Sequence, residues 1–292
     1  MKKQNIGTPA YHLTFRTRAF NFISHVALTV LSVIWLFPVF WLLLNSFREE
    51  SGAYTSYFLP KGLTFQNYIN LFTNTGLYDF PLWFMNTLIV AIFSCLITTM
   101  FVLMTSYVFS RLRFPARRPM MNIMLVLGMF PGFMSMVAVY HVLKLMNLTQ
   151  TLTGLVIVYS AGAALSYYIA KGFFDTIPRA LDEAATIDGA SKNTVFWRIT
   201  LPMSRPIITF TLLSSFIAPW VDFIFVSVLM KGKADKFTVA LGLRQMIERE
   251  TVSAYFTQFC AGAVVVSIPL VILFLMTQKH YVGGITGGAT KG

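Results

Sequence analysis

Residues 80–110 read FPLWFMNTLIVAIFSCLITTMFVLMTSYVFS and contain no Lys, Arg, Asp or Glu. An α-helix needs about 20 consecutive apolar residues to cross the hydrocarbon core of a bilayer, so this stretch is long enough to span it. Charged side chains are expensive in lipid, and a run of this length without them is typical of a transmembrane helix. The stretch therefore predicts a protein that folds in a membrane.

Five further stretches, at 19–47, 119–143, 145–170, 206–230 and 251–278, are also free of charge apart from Asp222. Allowing for interfacial ends, the six stretches predict helices over roughly 22–44, 83–108, 120–142, 152–170, 207–229 and 259–277. The fold class expected is an all-α membrane protein with six transmembrane helices. The first stretch is too long for a signal peptide and no small-residue cleavage site follows it, so we expect it to be retained.

The composition excludes the common soluble classes. Of the 292 residues, 56% are hydrophobic and only 12% are charged, whereas a soluble domain has about 25% charged residues. The 28 Phe and 12 Tyr argue against disorder, because disordered chains are poor in aromatic residues. The net charge of +12 comes from basic residues between the apolar stretches, so it predicts membrane topology and no nucleic-acid partner.

The distribution of Lys and Arg predicts the orientation. Fifteen of the 23 lie in the N-terminus, the loops after the second and fourth helices, and the C-terminus. Cytoplasmic segments are enriched in these residues, so both termini should face the cytoplasm. The expected organisation is a cytoplasmic segment 1–19, a first transmembrane helix 20–45, an extracytoplasmic loop 46–82, a core 83–278 and a flexible, glycine-rich cytoplasmic tail 279–292.

A search for catalytic motifs finds none. The sequence has no G-x-S-x-G, H-E-x-x-H or C-x-x-C, and no phosphate-binding G-x-x-x-x-G-K-[ST]. The four His residues are scattered, and Cys95 and Cys260 lie in separate apolar stretches where they are expected to be small buried side chains. We therefore predict no catalytic residue, no metal site and no ATP hydrolysis by this chain.

Two polar residues in the predicted membrane helices are candidates for the translocation path. Asp222 lies within the fifth apolar stretch, and a carboxylate there must face protein or water. It can serve function, form a structural hydrogen bond to a neighbouring helix, or lie near enough to the outer interface to remain hydrated. Asn86, near the start of the second stretch, is a weaker candidate of the same kind.

The loop between the fourth and fifth helices, residues 171–206, predicts a rigid helix–turn–helix. Its central part reads FFDTIPRALDEAATIDGASKNTVFWRITLPMSRP. Thr176 can cap a helix that Pro178 begins, and Gly189 supplies the positive φ that ends it. Ser191 can cap a second short helix. The first helix should expose a patch of small side chains, including Ala184 and Ala185, that allows close approach by another protein.

This loop resembles the EAA signature of permease subunits of bacterial ATP-binding-cassette importers. The matching residues are Glu183-Ala184-Ala185, Asp188-Gly189-Ala190, Phe196, Leu201-Pro202 and Pro206. Outside the loop, SYVFSRLRFPA at 106–116, Met129-Phe130-Pro131, KGFFDTIP at 171–178 and VGGITGGATKG at 282–292 are similar to maltose/maltodextrin-type permeases. The resemblance implies the MetI-like permease fold and a location in the bacterial cytoplasmic membrane.

The resemblance also implies partners and site residues. Residues 171–206, here called the coupling loop, would contact a cytoplasmic ATPase dimer that binds ATP and magnesium, and this chain would bind no cofactor. The coupling residues would be Glu183, Ala184, Ala185, Asp188, Gly189 and Ala190. The tail would add ATPase contacts at Thr286, Gly287, Gly288 and Lys291. Tyr159, Tyr167 and Trp220 would join Asn86 and Asp222 as candidate sugar-path residues.

Two further partners are implied: a second homologous permease, and an extracytoplasmic sugar-binding protein that would touch residues 231–258, here called the outer loop. Maltodextrin is the first choice of substrate; raffinose, trehalose and glycerol-3-phosphate importers use similar subunits. The alternative from another class is an autonomous six-span carrier that uses Asp222. Such a carrier should have inverted-repeat halves and several intramembrane ionisable groups, and the sequence has a single such group and no clear repeat.

Overall fold

The structure is a computed structural model that describes residues 15–55, 57–130, 132–162 and 164–289. Throughout those residues the regular structure is helical, apart from one isolated bridge between Arg48 and Leu63. Most of the predicted cytoplasmic segment 1–19, as well as Pro131 and Lys291, lies outside the described residues. The all-α prediction is confirmed for the part described.

Within the described residues, three helices are long and apolar enough to cross a membrane, or up to five if each bent helix pair is one span. The three are α1 (Phe15–Ser46), α3 (Phe80–Arg111) and α14 (Val252–Ala289). The shorter helices are α2 (Gln66–Thr73), α4 (Arg117–Gly128), α5 (Gly132–Leu145), α6 (Leu152–Ala161), α7 (Ala164–Thr176), α8 (Arg179–Ile187), α9 (Lys192–Val195), α10 (Leu201–Met203), α11 (Arg205–Val221), α12 (Ile224–Leu229) and α13 (Val239–Met246). A π-helical turn, Phe196–Thr200, joins α9 to α10, and a 3-10 turn, Ala234–Lys236, precedes α13.

The middle spans are interrupted where continuous helices were predicted. The predicted helix 120–142 is two helices, α4 and α5, and the sequence between and around their ends contains Gly128, Pro131 and Gly132. The predicted helix 152–170 is the pair α6 and α7, which bend by 44°. The predicted helix 207–229 stops at Val221 and resumes at Ile224. Glycine and proline lower helix stability at the first of these breaks, whereas apolarity alone had predicted uninterrupted spans.

The C-terminal helix is longer than predicted. Helix α14 continues past residue 277 and through both glycine pairs to Ala289, so the prediction of a flexible tail over 279–292 is wrong for 279–289. Extending an existing helix adds a backbone hydrogen bond per residue without a new nucleation cost, which offsets the roughly 1 kcal/mol that each glycine costs relative to alanine. Thr286, Gly287 and Gly288 therefore lie in the last turns of α14.

Helix α3 is the centre of the bundle and packs against α6, α7, α11, α13 and α14. Small polar side chains on its buried face bond to backbone oxygens of its neighbours. Thr98 donates to the Tyr159 oxygen of α6 at 3.4 Å, Ser106 to the Tyr167 oxygen of α7 at 3.0 Å, and Cys95 to the Leu212 oxygen of α11 at 3.3 Å. Small residues of this kind let transmembrane helices approach closely.

Two buried apolar clusters lie at opposite ends of α3. The cluster near its N-terminus includes Phe80, Trp83, Trp220 and Leu229; the cluster near its C-terminus includes Tyr107, Phe174, Phe196 and Ile207. Cys95 and Cys260 are both buried, as predicted. By contrast, α1 exposes large apolar side chains along most of its length, such as Trp35 at 78%. Such a surface is unfavourable in water and suits contact with lipid.

The segment between α1 and α3 is held by a buried arginine. Arg48, 3% exposed, donates from Nη1 to the Asn45 Oδ1 at 2.7 Å and from Nε to the Glu50 carbonyl at 2.9 Å. Asn67 of α2 donates to the Arg48 carbonyl at 2.7 Å. These bonds anchor α2 to the end of α1.

Candidate functional site

The first helix of the coupling loop is α8. Pro178 occupies its N-cap position with φ −57° and ψ 130°, which suits proline because the ring holds φ near that value. The prediction that Thr176 caps this helix is wrong: its hydroxyl donates backward to the Phe173 carbonyl of α7 at 2.7 Å. The local hydrogen bond within the end of α7 competes with capping of the next helix.

Two other predictions of local geometry in the loop are confirmed. Gly189 has φ +83° and follows the end of α8, where the left-handed conformation favours glycine. The Ser191 hydroxyl accepts from the Thr194 backbone N–H at 3.2 Å and so caps α9. The helix then runs from Lys192 to Met203 and meets α11 at 81°, so the second arm of the loop lies nearly perpendicular to the fifth apolar stretch.

The exposed face of α8 is formed by Ala180, Glu183, Ala184 and Ile187, and Ile187 is 86% exposed. These residues recur at i, i+3, i+4 and i+7, the spacing of one helical face. Ala185 does not belong to it: the residue is only 9% exposed, which corrects the prediction that it lies on the outer patch. Consecutive residues are about 100° apart around a helix, so Ala185 lies away from the exposed face.

Among the other predicted coupling residues, Asp188 and Gly189 are exposed and Ala190 is half-buried. The Ala190 N–H donates to the Ala185 carbonyl at 2.9 Å, which ties the turn to the helix. A shallow groove of about 330 Å³ lies beside α8 and is lined by Asp182, Glu183, Thr186, Ile187 and Lys192. The coupling residues are thus brought together on one compact, largely exposed unit.

A residue that was not among the predicted coupling residues fixes α8 to the end of α3. The Nε of Arg111, the last residue of α3, lies 3.3 Å from the Asp182 Oδ2, and the two side chains are 4% and 14% exposed. The Arg111 Nη2 also donates to the Ile177 carbonyl at 2.9 Å. In the sequence Arg111 was a topology-determining charge and part of the family-like run at 106–116, and neither observation assigned it a contact with the coupling loop.

Two more residues near the end of α3 bond to segments flanking α8. Ser110 donates to the Asp175 Oδ1 of α7 at 2.6 Å, and the Tyr107 hydroxyl donates to the Lys192 carbonyl at the start of α9 at 3.3 Å. Asp175 is also paired with Lys171 one helical turn earlier. The coupling loop is therefore bonded to α3 as well as to its covalent neighbours α7 and α11.

Asp222 lies at the break between α11 and α12 and forms two hydrogen bonds. Its Oδ1 accepts from the Phe225 N–H at 3.0 Å, and its Oδ2 accepts from the Tyr159 hydroxyl of α6 at 3.0 Å. The first bond satisfies an N–H in the opening turn of α12, where a helix lacks internal partners. The structure thus brings together two of the predicted path residues.

The remaining path candidates are separated. Trp220 is 3% exposed and packs against Phe84 and Phe216; Tyr167 packs against the buried cluster at the other end of α3. Asn86 is 5% exposed, and its amide donates to the carbonyls of Asp235 and Phe237 in the outer loop at 2.9 and 3.0 Å. The side chain of Asn86 thus holds the outer loop.

The N-terminal end of α3 forms further bonds to the outer loop. Trp83 donates from Nε1 to the Ala234 carbonyl at 3.0 Å, and Thr87 accepts from the Val239 N–H at 2.8 Å. Helix α13 then packs so closely that a Cβ on Gly242 would lie 1.9 Å from the Trp83 ring. Residues 231–235, Arg244 and residues 248–250 of the predicted binding-protein surface are exposed.

No group of three or more His, Cys, Asp or Glu side chains in the described ranges is placed to hold a metal ion. The long apolar helices with exposed apolar faces define a multi-pass membrane protein. The chain belongs to the family described as the binding-protein-dependent transport system inner membrane component, whose model matches residues 102–282.

Two relatives cover nearly the whole chain. The galactooligosaccharides transport system permease protein GanQ of Bacillus subtilis is 32% identical over 92% of this chain and 95% of its own length. The maltodextrin transport system permease protein MalD of Streptococcus pneumoniae is 32% identical over 96% of this chain and 99% of its own length. Membership of this family makes the chain a permease subunit and not an enzyme, and ATP hydrolysis belongs to the partner ATPase.

The fold is shared with a solved transporter. A chain in the crystal structure of a bacterial ABC transporter involved in the import of the acidic polysaccharide alginate superposes with a TM-score of 0.76 at 21% identity. The match covers 94% of this chain and all of that one. The MetI-like permease fold expected from the sequence is therefore confirmed as the fold of this chain.

Proposed function

We propose that the chain is a permease subunit of an ATP-driven oligosaccharide importer. It would form a translocation path with a second permease and couple through α8 to a cytoplasmic ATPase dimer. The observation on which this rests is the geometry of α8: an exposed face with two alanines and Glu183, ended by a left-handed Gly189 and fixed to the bundle by Arg111. Small side chains allow a partner's groove to approach the helix backbone closely.

The proposed partners have separate roles. ATP and magnesium would be held by the ATPase dimer, and its closure would displace α8. The coupling contacts would come from the exposed residues of the EAA segment, with Ala185 supporting the helix from its buried side. Thr286, Gly287 and Gly288 in the last turns of α14, followed by Lys291, would add contacts from the C-terminus.

The membrane arrangement proposed has six spans with both termini in the cytoplasm of a bacterium. Counting α4 with α5, α6 with α7, and α11 with α12 as one interrupted span each, and adding the three long helices, gives this number. The excess of Lys and Arg in the termini and in the coupling loop supports the orientation.

Maltodextrin-type oligosaccharides are the proposed substrates. The relatives named for maltodextrin and for galactooligosaccharides are equally similar at 32% identity, so an oligosaccharide is better supported than any one sugar. Raffinose, trehalose or glycerol-3-phosphate is the alternative. Tyr159 and Asp222, joined by a hydrogen bond at the helix break, are the proposed polar contact in the path, because sugar hydroxyls need hydrogen-bonding partners.

The exposed part of the outer loop is the proposed docking surface for a sugar-binding protein. Its exposed charged residues are Lys231, Lys233 and Asp235 before α13, Arg244 within it, and residues 248–250 after it. Bonds from α3 hold the loop in one place, which would reduce the ordering cost of docking.

Purification in mild detergent from native membranes, followed by mass spectrometry, tests the assignment. Recovery of a second permease and an ATPase is expected. The substrate is then identified by screening sugars, each with the co-encoded binding protein, for stimulation of ATP hydrolysis by the purified complex. A folded, monodisperse chain recovered alone that still catalyses sugar uptake in liposomes would contradict the proposal and favour an autonomous carrier.

A further inference from the structure

The last turns of α3 present three hydrogen-bonding or charged side chains on one face. Tyr107, Ser110 and Arg111 are spaced at i, i+3 and i+4, so they point in similar directions. Each reaches a different part of the coupling loop or the end of α7: Tyr107 the start of α9, Ser110 the residue Asp175, and Arg111 both Ile177 and α8 itself. Of these three residues, Arg111 is the one that forms an ion pair with a residue of α8.

The contact between Arg111 and Asp182 is a charge pair at 3.3 Å that lacks hydrogen-bond geometry, and the Asp182 Oδ1 has no hydrogen-bond partner among the described residues. Both side chains are largely buried. Removing one member of a buried pair leaves the other charge without compensation. Asp182 points to α3 while its neighbour Glu183 is exposed, so the two acids of α8 have different roles.

The opposite end of α3 holds the outer loop. Trp83, Asn86 and Thr87 bond to it at the spacing i, i+3 and i+4, the same spacing as at the coupling end. The helix between has 32 residues without an internal break, which corresponds to a length of about 48 Å. The single continuous helix α3 therefore bonds directly to both the coupling loop and the outer loop.

We propose that Arg111 is a positioning residue that ties the coupling helix α8 to α3, so that a displacement of α8 is transmitted along α3 to the outer loop. The inference rests on the proposed function, since it assigns the mechanical connection of the coupling helix. Arg111 acts through Asp182 and the Ile177 carbonyl, and its side chain is only 4% exposed. Because it lies outside the EAA segment, it adds a residue to the coupling machinery.

The test is a double-mutant cycle in the assembled importer with its binding protein. Arg111→Gln and Asp182→Asn each remove one charge and keep most of the side-chain volume. The quantity measured is sugar transported per ATP hydrolysed in liposomes. We expect each single variant to lower this ratio at least fivefold and the double variant to lower it no further, because both remove the same interaction. Arg113→Gln, an exposed neighbour, is the matched control and should leave the ratio unchanged.

Two results would overturn the inference. The first is a transport-to-ATP ratio within twofold of the wild type for both single variants. The second is a double variant whose fold loss in this ratio equals the product of the two single losses. If Arg111→Gln does not assemble, Asp182→Asn decides, together with Arg111→Lys, which keeps the charge and should recover part of the coupling.

Ala184→Trp, on the exposed face of α8, separates this inference from the proposed function. Unchanged coupling with tryptophan at that position would contradict the proposed contact between α8 and the ATPase. Loss of coupling there, with normal coupling in Arg111→Gln, would overturn only the role of Arg111.

Discussion

Replacing Gly242 by alanine should destabilise the protein by overpacking the contact between α13 and α3. A Cβ at this position would lie 1.9 Å from the Cε3 atom and 2.4 Å from the Cδ2 and Cζ3 atoms of the Trp83 ring. Ordinary contact begins near 3.4 Å, so the ring or α13 must move by about 1.5 Å, by comparison with the usual carbon–carbon separation. Trp83 is 1% exposed, which leaves the ring little space to move.

The expected magnitude has two parts. Overpacking of a buried site costs about 1–3 kcal/mol. If the indole moves, its Nε1 hydrogen bond to the Ala234 carbonyl, 3.0 Å long, is lost, and a buried unpaired polar group costs about 1–3 kcal/mol more. We therefore expect a loss of roughly 2–6 kcal/mol in the free energy of unfolding, which corresponds to a fall of about 10 °C in melting temperature.

The assay is thermal unfolding of the purified complex in detergent, with trypsin digestion as a second measurement. Cleavage at Lys233 and Lys236 should accelerate when the outer loop separates from α3. Gly172→Ala is the matched control: Gly172 also lies in a helix, a Cβ there meets no atom within 4 Å, and alanine should stabilise that helix by up to about 1 kcal/mol. Equal melting temperatures and digestion rates for the two variants would refute the packing of α13 on α3.

Three further changes probe the site. Gly189→Val should lose co-purification of the ATPase, whereas Gly189→Asn should retain it. The backbone φ of +83° costs a β-branched residue about 1–2 kcal/mol, and no atom lies within 4 Å of the added Cβ. Equal loss of the ATPase in both variants would indicate a steric cause. Asp222→Asn leaves one acceptor oxygen where the carboxylate uses two, for the Tyr159 hydroxyl and the Phe225 N–H, and ATP-driven uptake by a normally assembled complex should fall; unchanged uptake would contradict the proposed path contact. Asn86→Ala removes two hydrogen bonds to the outer loop and should lower the free energy of unfolding by about 1–3 kcal/mol. Thermal unfolding measures this change. An unchanged melting temperature would contradict the anchoring role of Asn86.

Much of the fold was predictable because it depends on local composition. The absence of charge over 80–110 predicted α3 to within three residues at each end, since the bilayer excludes charge whatever the tertiary structure. The turn at Gly189 and the cap at Ser191 were predictable for a related reason: each depends on the backbone preference of one residue and on partners within three positions.

Predictions from local sequence failed where a side chain has a second hydrogen-bonding partner available or where packing against other helices decides its exposure. The Thr176 hydroxyl had two available roles, and the end of α7 uses it. Ala184 and Ala185 are alike in sequence, but only the helix register against the bundle decides that one is exposed and the other 9% exposed. The breaks in the middle spans likewise depend on more than apolarity.

The sequence by itself determined that the chain is an α-helical membrane protein and where an exposed helix with the EAA residues would form. Only the tertiary structure decided which residues hold that helix and the outer loop. Arg111 and the Ile177 carbonyl are 66 positions apart, and Trp83 and the Ala234 carbonyl are 151 apart. Composition and periodicity act over one or two turns, whereas these pairs depend on how helices distant in sequence pack together, so no local pattern distinguishes Arg111 from the arginines beside it.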